Sequence, residues 1–425
     1  MTPIDDHPLR YRLANELHAR PFPAFGAPAT ACFLAIKKEK GAAGRNKDED
    51  LHYLIKLLDR YGAPHPQPGA THYSGTIGRH QVKWEQHTEF VTFMVFSQDV
   101  SSRAFDPADF EVFPEDWLAE TTGVRISSIL IRVVMRPDED TLAKNLKDWF
   151  VAESLATSEV LDGSAVIAGD FRIDPAGHLR FAVFPSEGTG EQRIGRIVQR
   201  LCEIETYKSM SMLGFSRAGN MASHMGALEA ELTSVMGDMS GDVPAENTLD
   251  ALLTISSEIE ALVARASYRF GATRAYEAIV DQRINVLREA RYGRRQTFRE
   301  FMMRRYDPAM RTVGSTEKRL AALSDRAIRA GDLLRTKVDV ARSAQNQSLL
   351  ASMDRRADLA LRLQETVEGL SVVAIGYYAV SLAAYLFYPL SGPMGISKGT
   401  LTAALVIPVL LLVWAMIRRI KARMH

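Results

Sequence analysis

An uncharged stretch near the end of the chain carries hydroxyl-bearing and small side chains at alternating spacings of three and four residues. This spacing places them on one face of a helix. A polar face on an apolar helix lines a pore when several copies of a chain assemble. It also suits close helix packing, with tyrosines at the lipid–water interface, and we favour packing. This first-span stripe comprises Ser371, Ala374, Tyr378, Ser381, Tyr385 and Tyr388.

Six arginines lie within 15 residues of a region that is predicted to be helical. Clustered guanidinium groups bind phosphate, nucleotides or acidic lipid headgroups. The alternative, which we favour, is a solvated helix face whose arginines pair with carboxylates such as Glu300 and those of neighbouring helices. The arginine patch comprises Arg291, Arg294, Arg295, Arg299, Arg304 and Arg305.

A third group of reactive side chains lies near the N-terminus, just before Pro21. A histidine there can carry protons and an arginine can bind anions. A structural tie between this arm and the rest of the chain is the interpretation we favour. The N-terminal motif comprises Asn15, Glu16, His18 and Arg20.

The sequence contains no motif for a nucleophile, a zinc site or a phosphate loop. Cys32 and Cys202 are far apart and indicate neither a disulfide framework nor a cysteine metal site. The formal net charge of +1 argues against a nucleic-acid partner. We therefore predict a protein that is not an enzyme and has no cofactor, and the sequence leaves metal binding open.

Two apolar stretches near the C-terminus set the class of protein. Residues 369–397 and 399–417 contain no charged side chain. Each supplies the roughly 20 apolar residues that cross a bilayer as a helix. We therefore predict a transmembrane hairpin over 371–417, with spans at about 370–388 and 399–417. Basic residues before the first span and in the tail 418–425 predict that the N-terminal bulk and the C-terminus lie in the cytoplasm, at a bacterial inner membrane.

The chain before the spans divides at Pro185 into two regions of different pattern. Short β-rich and helical runs alternate up to this point, which predicts an α/β (α+β) cytoplasmic head over 1–185 and leaves the strand order open. A long α-helical stalk over 186–370 follows, with Thr189 as the predicted N-cap. The predicted stalk helices are at about 189–236, 248–306 and 309–370. The predicted head strands are 31–36, 82–85, 90–96, 125–135, 166–168 and 179–184, and the predicted head helices are 48–61 and 138–150.

Two motifs are similar to those of a known bacterial family. They are Asn-Glu-Leu-His-Ala-Arg-Pro-Phe at 15–22 and Leu-Gln-Glu-Thr-Val-Glu-Gly-Leu-Ser-Val-Val-Ala at 363–374. They resemble an uncharacterised family of membrane-anchored proteins, domain of unknown function 3422. The resemblance extends over nearly the whole chain. It implies an integral membrane protein and supplies no activity.

The overall plan is also similar to the CorA class of divalent-cation channels. Those pentamers have a cytoplasmic α/β head, a very long helix that enters the first span, a short outer loop and a second span. Their Gly-Met-Asn motif is absent here, and the outer loop carries Lys398 in place of the acidic rings that concentrate cations. The outer-loop candidates are Gly392, Pro393, Met394, Gly395 and Lys398.

These patterns lead to two expectations about function. The first is a non-enzymatic, homo-oligomeric integral membrane protein whose head and stalk bind a partner or sense a ligand. The second is a CorA-like channel or transporter for an inorganic, divalent ion, with the first span lining the pore of a pentamer. In both cases the lipid bilayer is the predicted partner of the terminal helices.

Overall fold

The computed structural model describes residues 4–11, 22–41, 44–239, 245–390 and 397–424. Contacts between residues divide the chain into two units, residues 1–330 and residues 331–425. The first unit contains a β-sheet with helices on both faces and a bundle of long helices. The second unit contains the end of one long helix and the C-terminal helix.

A mixed sheet of nine strands lies at the centre of the first unit, counted over the described residues. The strands are β1 (Ala29–Lys37), β2 (His72–Ile77), β3 (His80–Gln86), β4 (Phe90–Ser97), β5 (Val124–Val133), β6 (Ala156–Val160), β7 (Ala165–Ile173), β8 (Leu179–Pro185) and β9 (Ala290–Arg291). Their order is β2-β3-β4-β1-β5-β8-β7-β6-β9. Neighbours are antiparallel except β5 and β8, which are parallel. Two groups of antiparallel strands therefore meet at this single parallel pair.

Eight α-helices accompany the sheet in the described part of the chain. They are α1 (Lys47–Arg60), α2 (Glu115–Ala119), α3 (Glu139–Trp149), α4 (Glu191–Asp238), α5 (Ala245–Leu287), α6 (Phe298–Arg305), α7 (Asp307–Phe387) and α8 (Lys398–Met424). Side chains cap the two longer head helices: Asn46 accepts from the Asp48 amide, and Asp138 accepts from the Thr141 amide. Such caps satisfy backbone donors that the first turn leaves unpaired.

Both faces of the sheet are covered, which explains why every residue of β1 is buried and why residues 31–36 are all apolar, with no alternation of apolar and polar side chains. On one face, Cys32 and Leu34 join a core with Leu54 of α1, Leu142 of α3 and Trp84. On the other face, α4 packs across β1, β5 and β8. Because successive side chains of a strand point to opposite faces, the same strand contributes to both layers.

The mixed α/β sheet predicted for the N-terminal region is confirmed, as are its two hairpins, β3 with β4 and β7 with β8. Strands β2, β6 and β9 were not predicted. β2 is half-exposed at the sheet edge, β6 carries polar residues, and β9 has two residues. Their positions in the sheet come from pairing with distant residues, which a local apolar pattern does not record.

The prediction of one helix over 248–306 is wrong. Helix α5 ends at Leu287, Arg288 adopts a left-handed backbone conformation (φ 47°), and β9 then pairs with β6. A new helix, α6, begins after Thr297, which forms a capping box with Glu300. Pairing with the sheet edge and this reciprocal cap satisfy the backbone groups that the break exposes.

The predicted N-cap at Thr189 is also wrong. Helix α4 begins at Glu191 with Gly190 as its N-cap and with no side-chain cap. The Thr189 hydroxyl donates instead to the Ser164 carbonyl at 2.7 Å. This bond ties the start of the helix to the turn between β6 and β7. A partner distant in sequence has therefore displaced the local cap.

Helices α4 and α5 pack along each other, and the first part of α7 joins them as a bundle. Leu228 and Leu232 of α4, Ile259 of α5 and Leu320 and Leu323 of α7 are all buried. Their spacings of three and four residues are those of an apolar seam in a helical bundle. At the rim, Arg319 of α7 donates from two nitrogens to Glu229 of α4. The long helices of this unit thus derive their stability from one another.

In the second unit, α8 packs against the last turns of α7. A Cβ placed on Gly376 would lie 2.9 Å from Leu410 Cδ2, so the two helices approach closely at this glycine. Gly376 and Val413 are buried, whereas most neighbouring side chains are exposed. Close approach at a glycine is a common device of helix pairs in lipid.

Candidate functional site

Two described helices are long and apolar enough to cross a membrane. They are α7 and the Lys398–Ile420 part of α8. The most apolar 18-residue window of α7 has a mean hydropathy of 1.8, and the corresponding window of α8 has a mean hydropathy of 2.4. Only 6% of each window is buried within the chain, whereas the apolar core helix of a soluble protein is mostly covered. Large apolar side chains such as Leu382, Leu386 and Leu412 are about 70% exposed. An exposed apolar surface of this length is typical of a helix that crosses a membrane.

The first-span stripe runs along α7 and ends at Tyr388, just after the helix, and its middle residues lie on the side of α7 opposite the contact with α8. Helix α8 packs at Gly376, about half a turn around the helix from Ala374 and Tyr378. Tyr378, Tyr385 and Tyr388 are 66%, 74% and 51% exposed, and Ser371 and Ala374 are exposed as well. The Ser381 hydroxyl donates to the Tyr377 carbonyl of the same helix. These exposed side chains are accessible to a second copy of the chain. Helix packing and pore lining both stay predictions for the stripe.

Most of the other motifs read from the sequence lie outside the described residues. This holds for the outer-loop candidates Gly392, Pro393, Met394 and Gly395, and for the N-terminal motif residues Asn15, Glu16, His18 and Arg20. Lys398 is described: it begins α8, and its Nζ lies 5.3 Å from the ring centre of Tyr388. A lysine above an aromatic ring is a favourable cation–π contact.

The six arginines of the predicted patch do not share a helix face, because the helix predicted there is broken. Arg291 ends β9, and Arg294 and Arg295 lie in the following turn. Arg299, Arg304 and Arg305 belong to α6. Arg291 pairs with Glu300, and Arg299 Nη1 donates to Asp281 Oδ1 at 3.0 Å. Anion binding by the remaining arginines stays a prediction.

A different set of arginines lines a cavity of about 820 Å³ between α4 and α5. We call it the arginine cavity. Its walls include Leu161 and the α5 residues Ala278 and Val286. Its polar lining is Arg193, Arg196 and Arg200 of α4, Asp281, Gln282 and Asn285 of α5, and Arg288 after α5. The three α4 arginines follow the i, i+3, i+7 spacing that puts side chains on one helix face.

The three α4 arginines contact neutral groups. Arg193 donates to the Ser164 hydroxyl at 2.9 Å, Arg196 donates to the Gln192 carbonyl at 3.3 Å, and Arg200 donates to the Val286 carbonyl at 3.3 Å. None of them forms an ion pair with a carboxylate of the described residues. The acidic side chain of the lining, Asp281, is already engaged by Arg299. The cavity therefore holds a surplus of positive charge.

The electrostatic environment of Arg200 reflects this surplus. Burial lowers the pKa of Arg200, and the neighbouring guanidinium of Arg196 lowers it further. Glu203 raises the Arg200 pKa, but its carboxylate also pairs with Arg283. The Arg283 guanidinium in turn lowers the Arg200 pKa. Like charges repel each other more strongly where burial reduces screening by water, so the closeness of these guanidinium groups is unfavourable.

The segment that follows the N-terminal motif reaches the edge of this cavity. The Arg196 guanidinium lies 6.0 Å from the ring centre of Phe22, which comes two positions after Arg20, the last member of that motif. The next residue, Pro23, brings its carbonyl so close to α4 that a Cβ placed on Gly195 would overlap it. Gly195 therefore permits the contact between this segment and the helix. The favoured interpretation of the motif, a structural tie, stays a prediction for the four residues named.

The described residues contain no group of three or more His, Cys, Asp or Glu side chains that could hold a metal ion. Both cysteines are buried, and burial raises the pKa of the Cys32 and Cys202 thiols. A buried serine–histidine contact, Ser128 with His178 at 2.7 Å, lies beneath Phe110. Burial lowers the pKa of His178, and the hydroxyl has no route to a substrate because both side chains are covered. This contact is part of the core.

Comparison with known families gives one match over most of the chain. Residues 5–424 match the model of a family described as "Protein of unknown function (DUF3422)". The chain belongs to the DUF3422 family. No curated protein matches it. The matched range in this DUF3422 chain includes the residues of the sheet, of the long helices and of both candidate membrane helices.

Sequence reasoning overlooked the arginine cavity of this DUF3422 protein. A signal was present: Arg193, Arg196 and Arg200 have helical spacing at the start of a long helix. The predicted patch further along the chain is denser in arginine, with six arginines in 15 residues. No sequence signal places Arg288 beside them, because its position depends on the break after α5.

Proposed function

We propose that this DUF3422 protein is a non-enzymatic, homo-oligomeric protein of the bacterial inner membrane whose cytoplasmic head and helical stalk sense a ligand or bind a partner. The terminal hairpin anchors it, with both termini in the cytoplasm. The observation that carries the proposal is the uncovered apolar surface of α7 and α8. Removing such a surface from water favours insertion by about 25 cal/mol per Å².

The charge distribution supports the proposed orientation. Arg355, Arg356 and Arg362 precede the first candidate span, and Arg418 and Arg419 follow the second, whereas Lys398 lies at the opposite end. Basic residues are retained on the cytoplasmic side of bacterial membranes. Oligomerisation is supported by the exposed part of the first-span stripe, because α8 packs at Gly376, about half a turn around α7 from Ala374 and Tyr378.

Cysteine labelling of the full-length protein tests the orientation. The native thiols Cys32 and Cys202 are 3% and 1% exposed, so their background reaction is small. We expect Lys398→Cys to react with a membrane-impermeant maleimide in intact spheroplasts. We expect the matched variant Ser348→Cys, on an exposed part of α7, to react only after lysis. The reverse pattern, or full extraction of the chain by carbonate, would contradict the proposal.

A second candidate function is a CorA-like channel or transporter for a divalent cation, built as a pentamer with the first span around the pore. The first-span stripe favours it, since hydroxyl side chains that follow one side of an apolar helix are able to line a hydrated path. Against it stand Lys398 at the mouth and the missing Gly-Met-Asn motif. Divalent-ion binding belongs to this candidate alone.

Proteoliposome flux separates the two functions. The sensing proposal predicts no Mg²⁺ flux above that of empty liposomes under a concentration gradient. Flux that is lost in Tyr378→Leu, and kept in Tyr377→Leu one position away and 100° around the helix, would establish the channel. Ser381→Leu provides a second position on the stripe. The size of the assembly in detergent shows whether each variant still oligomerises.

A further inference from the structure

We propose that the arginine cavity binds a phosphorylated small molecule that carries at least two negative charges. This inference deepens the proposed sensing function by naming the class of ligand that the head recognises. The cavity lies entirely within the first unit, between α4 and α5. Its ligand would reach it from the solvent on the same side of the membrane as the head.

The charge of the cavity carries the inference. Arg193, Arg196 and Arg200 project from one face of α4, and none of them forms an ion pair with a described carboxylate. Glu203 lies near Arg200, but it pairs with Arg283. Guanidinium groups present several donors in a fixed plane that matches phosphate oxygens. A bound dianion would replace the repulsion between Arg196 and Arg200 by attraction to both. Arg196 and Arg200 are partly buried. Water and salt therefore screen their charges less than the charges of arginines on a convex surface.

The shape and the remaining lining define the rest of the ligand. A cavity of about 820 Å³ exceeds what inorganic phosphate fills and falls in the range of small-molecule sites. Gln282 and Asn285 add amide donors and acceptors on the opposite wall, and Leu161 and Val286 add apolar surface. This combination suits an organic phosphate, whose charged end faces α4 and whose neutral polar part faces α5.

The cavity also joins three parts of the head that a ligand would hold together. Arg196 lies beside Phe22 of the N-terminal segment, and Arg200 donates to the Val286 carbonyl at the end of α5. Arg193 donates to Ser164 in the turn after β6. A ligand that draws these guanidiniums together therefore changes contacts with the arm, the bundle and the sheet at once.

Isothermal titration of the full-length protein in detergent tests the inference. The probes are ADP and pyrophosphate, with adenosine as the uncharged comparison. We expect ADP and pyrophosphate to bind and adenosine to show no heat. We expect Arg196→Gln and Arg200→Gln to weaken binding at least tenfold, because each removes a charge from the cavity. The control Arg217→Gln, an exposed arginine further along α4, should change affinity less than twofold.

Folding is checked separately, because Arg200 also bonds the α5 backbone. Arg196→Lys keeps the charge and should retain more affinity than Arg196→Gln, which a simple loss of structure would not produce. Absence of ADP and pyrophosphate binding, or equal weakening in Arg217→Gln, overturns the inference. Binding only to phosphatidylglycerol vesicles also overturns it and assigns the arginines to a lipid headgroup. Cysteine labelling at Lys398 is unaffected by these outcomes, so a failed titration leaves the proposed membrane function standing.

Discussion

Replacing Glu89 by alanine is expected to lower the free energy of unfolding of the head by about 3 to 5 kcal/mol. Glu89 lies in the turn between β3 and β4 and is fully buried. Its Oε2 accepts a hydrogen bond from Arg269 Nη2 of α5 at 2.8 Å. The substitution leaves the Arg269 side chain, which is 15% exposed, without this partner. An uncompensated buried charge is among the costliest defects in a folded protein.

Neighbouring cations make the expected loss larger than that of an isolated pair. Lys37 is buried beside Arg269, and its Nζ donates to the Lys38 carbonyl at 2.8 Å. Burial lowers the Lys37 pKa, Arg269 lowers it further, and Glu89 raises it. Glu89 thus balances more than one positive charge at the junction of the sheet with α5. Its removal should loosen that junction.

Denaturant unfolding followed by tryptophan fluorescence measures this effect. Trp84 and Trp117 are fully buried in the head, and Trp414 of α8 is replaced by phenylalanine in every variant so that the signal reports the head. The control is Arg79→Ala, which breaks the exposed pair of Arg79 with Asp99 at 3.4 Å. Exposed pairs contribute less than about 1 kcal/mol. Equal losses in Glu89→Ala and the control would contradict the role assigned to Glu89.

Gly195→Ala is expected to destabilise the head by about 3 kcal/mol, although alanine is the better helix former. The added methyl group would overlap the Pro23 carbonyl, which is backbone and has no rotamer to change. Either the segment at Pro23 or the first turns of α4 must move. Because Arg196 follows directly and lies beside Phe22, we also expect the affinity for ADP to fall in this variant.

Gly219→Ala provides a matched control on the same helix. No atom lies within 4 Å of a Cβ placed on Gly219, and the residue is exposed. There alanine should stabilise the protein by about 1 kcal/mol through its helix propensity. The two variants thus make the same chemical change with opposite expected signs. A stabilising Gly195→Ala would show that the Pro23 segment does not pack on α4 in solution.

The parts of the fold that sequence predicted correctly are those that local pattern specifies. The apolar run of β1, the hairpin of β3 with β4 and the stretches in α7 and α8 are recognisable because each uses neighbouring residues of one chemical type. The end of α5 was missed for the opposite reason. A capping box was present at Thr297 and Glu300, but the continuous helical periodicity before it concealed the break.

The candidate sites also have features that local spacing predicts and features that depend on contacts between distant residues. Helical spacing alone placed the first-span stripe on one face of α7, and it suffices to align Arg193, Arg196 and Arg200. It does not reveal that Arg288 and Asn285 close the opposite wall, or that Asp281 is engaged by Arg299. Glu89 and Arg269 give no sequence signal either, since 180 residues separate the partners.

Composition and local pattern were enough to predict that the C-terminal segments are apolar over the length of a bilayer, that the N-terminal region mixes strands with helices, and that the middle of the chain is helical. These properties depend on composition and on side chains within a few turns of one another. Four features became visible in the folded chain and not before: the strand order, the break after Leu287, the buried pair of Glu89 with Arg269 and the cavity between α4 and α5. Each of these joins residues that are far apart along the chain, where burial and the pairing of charges, and no local preference, set the free energy.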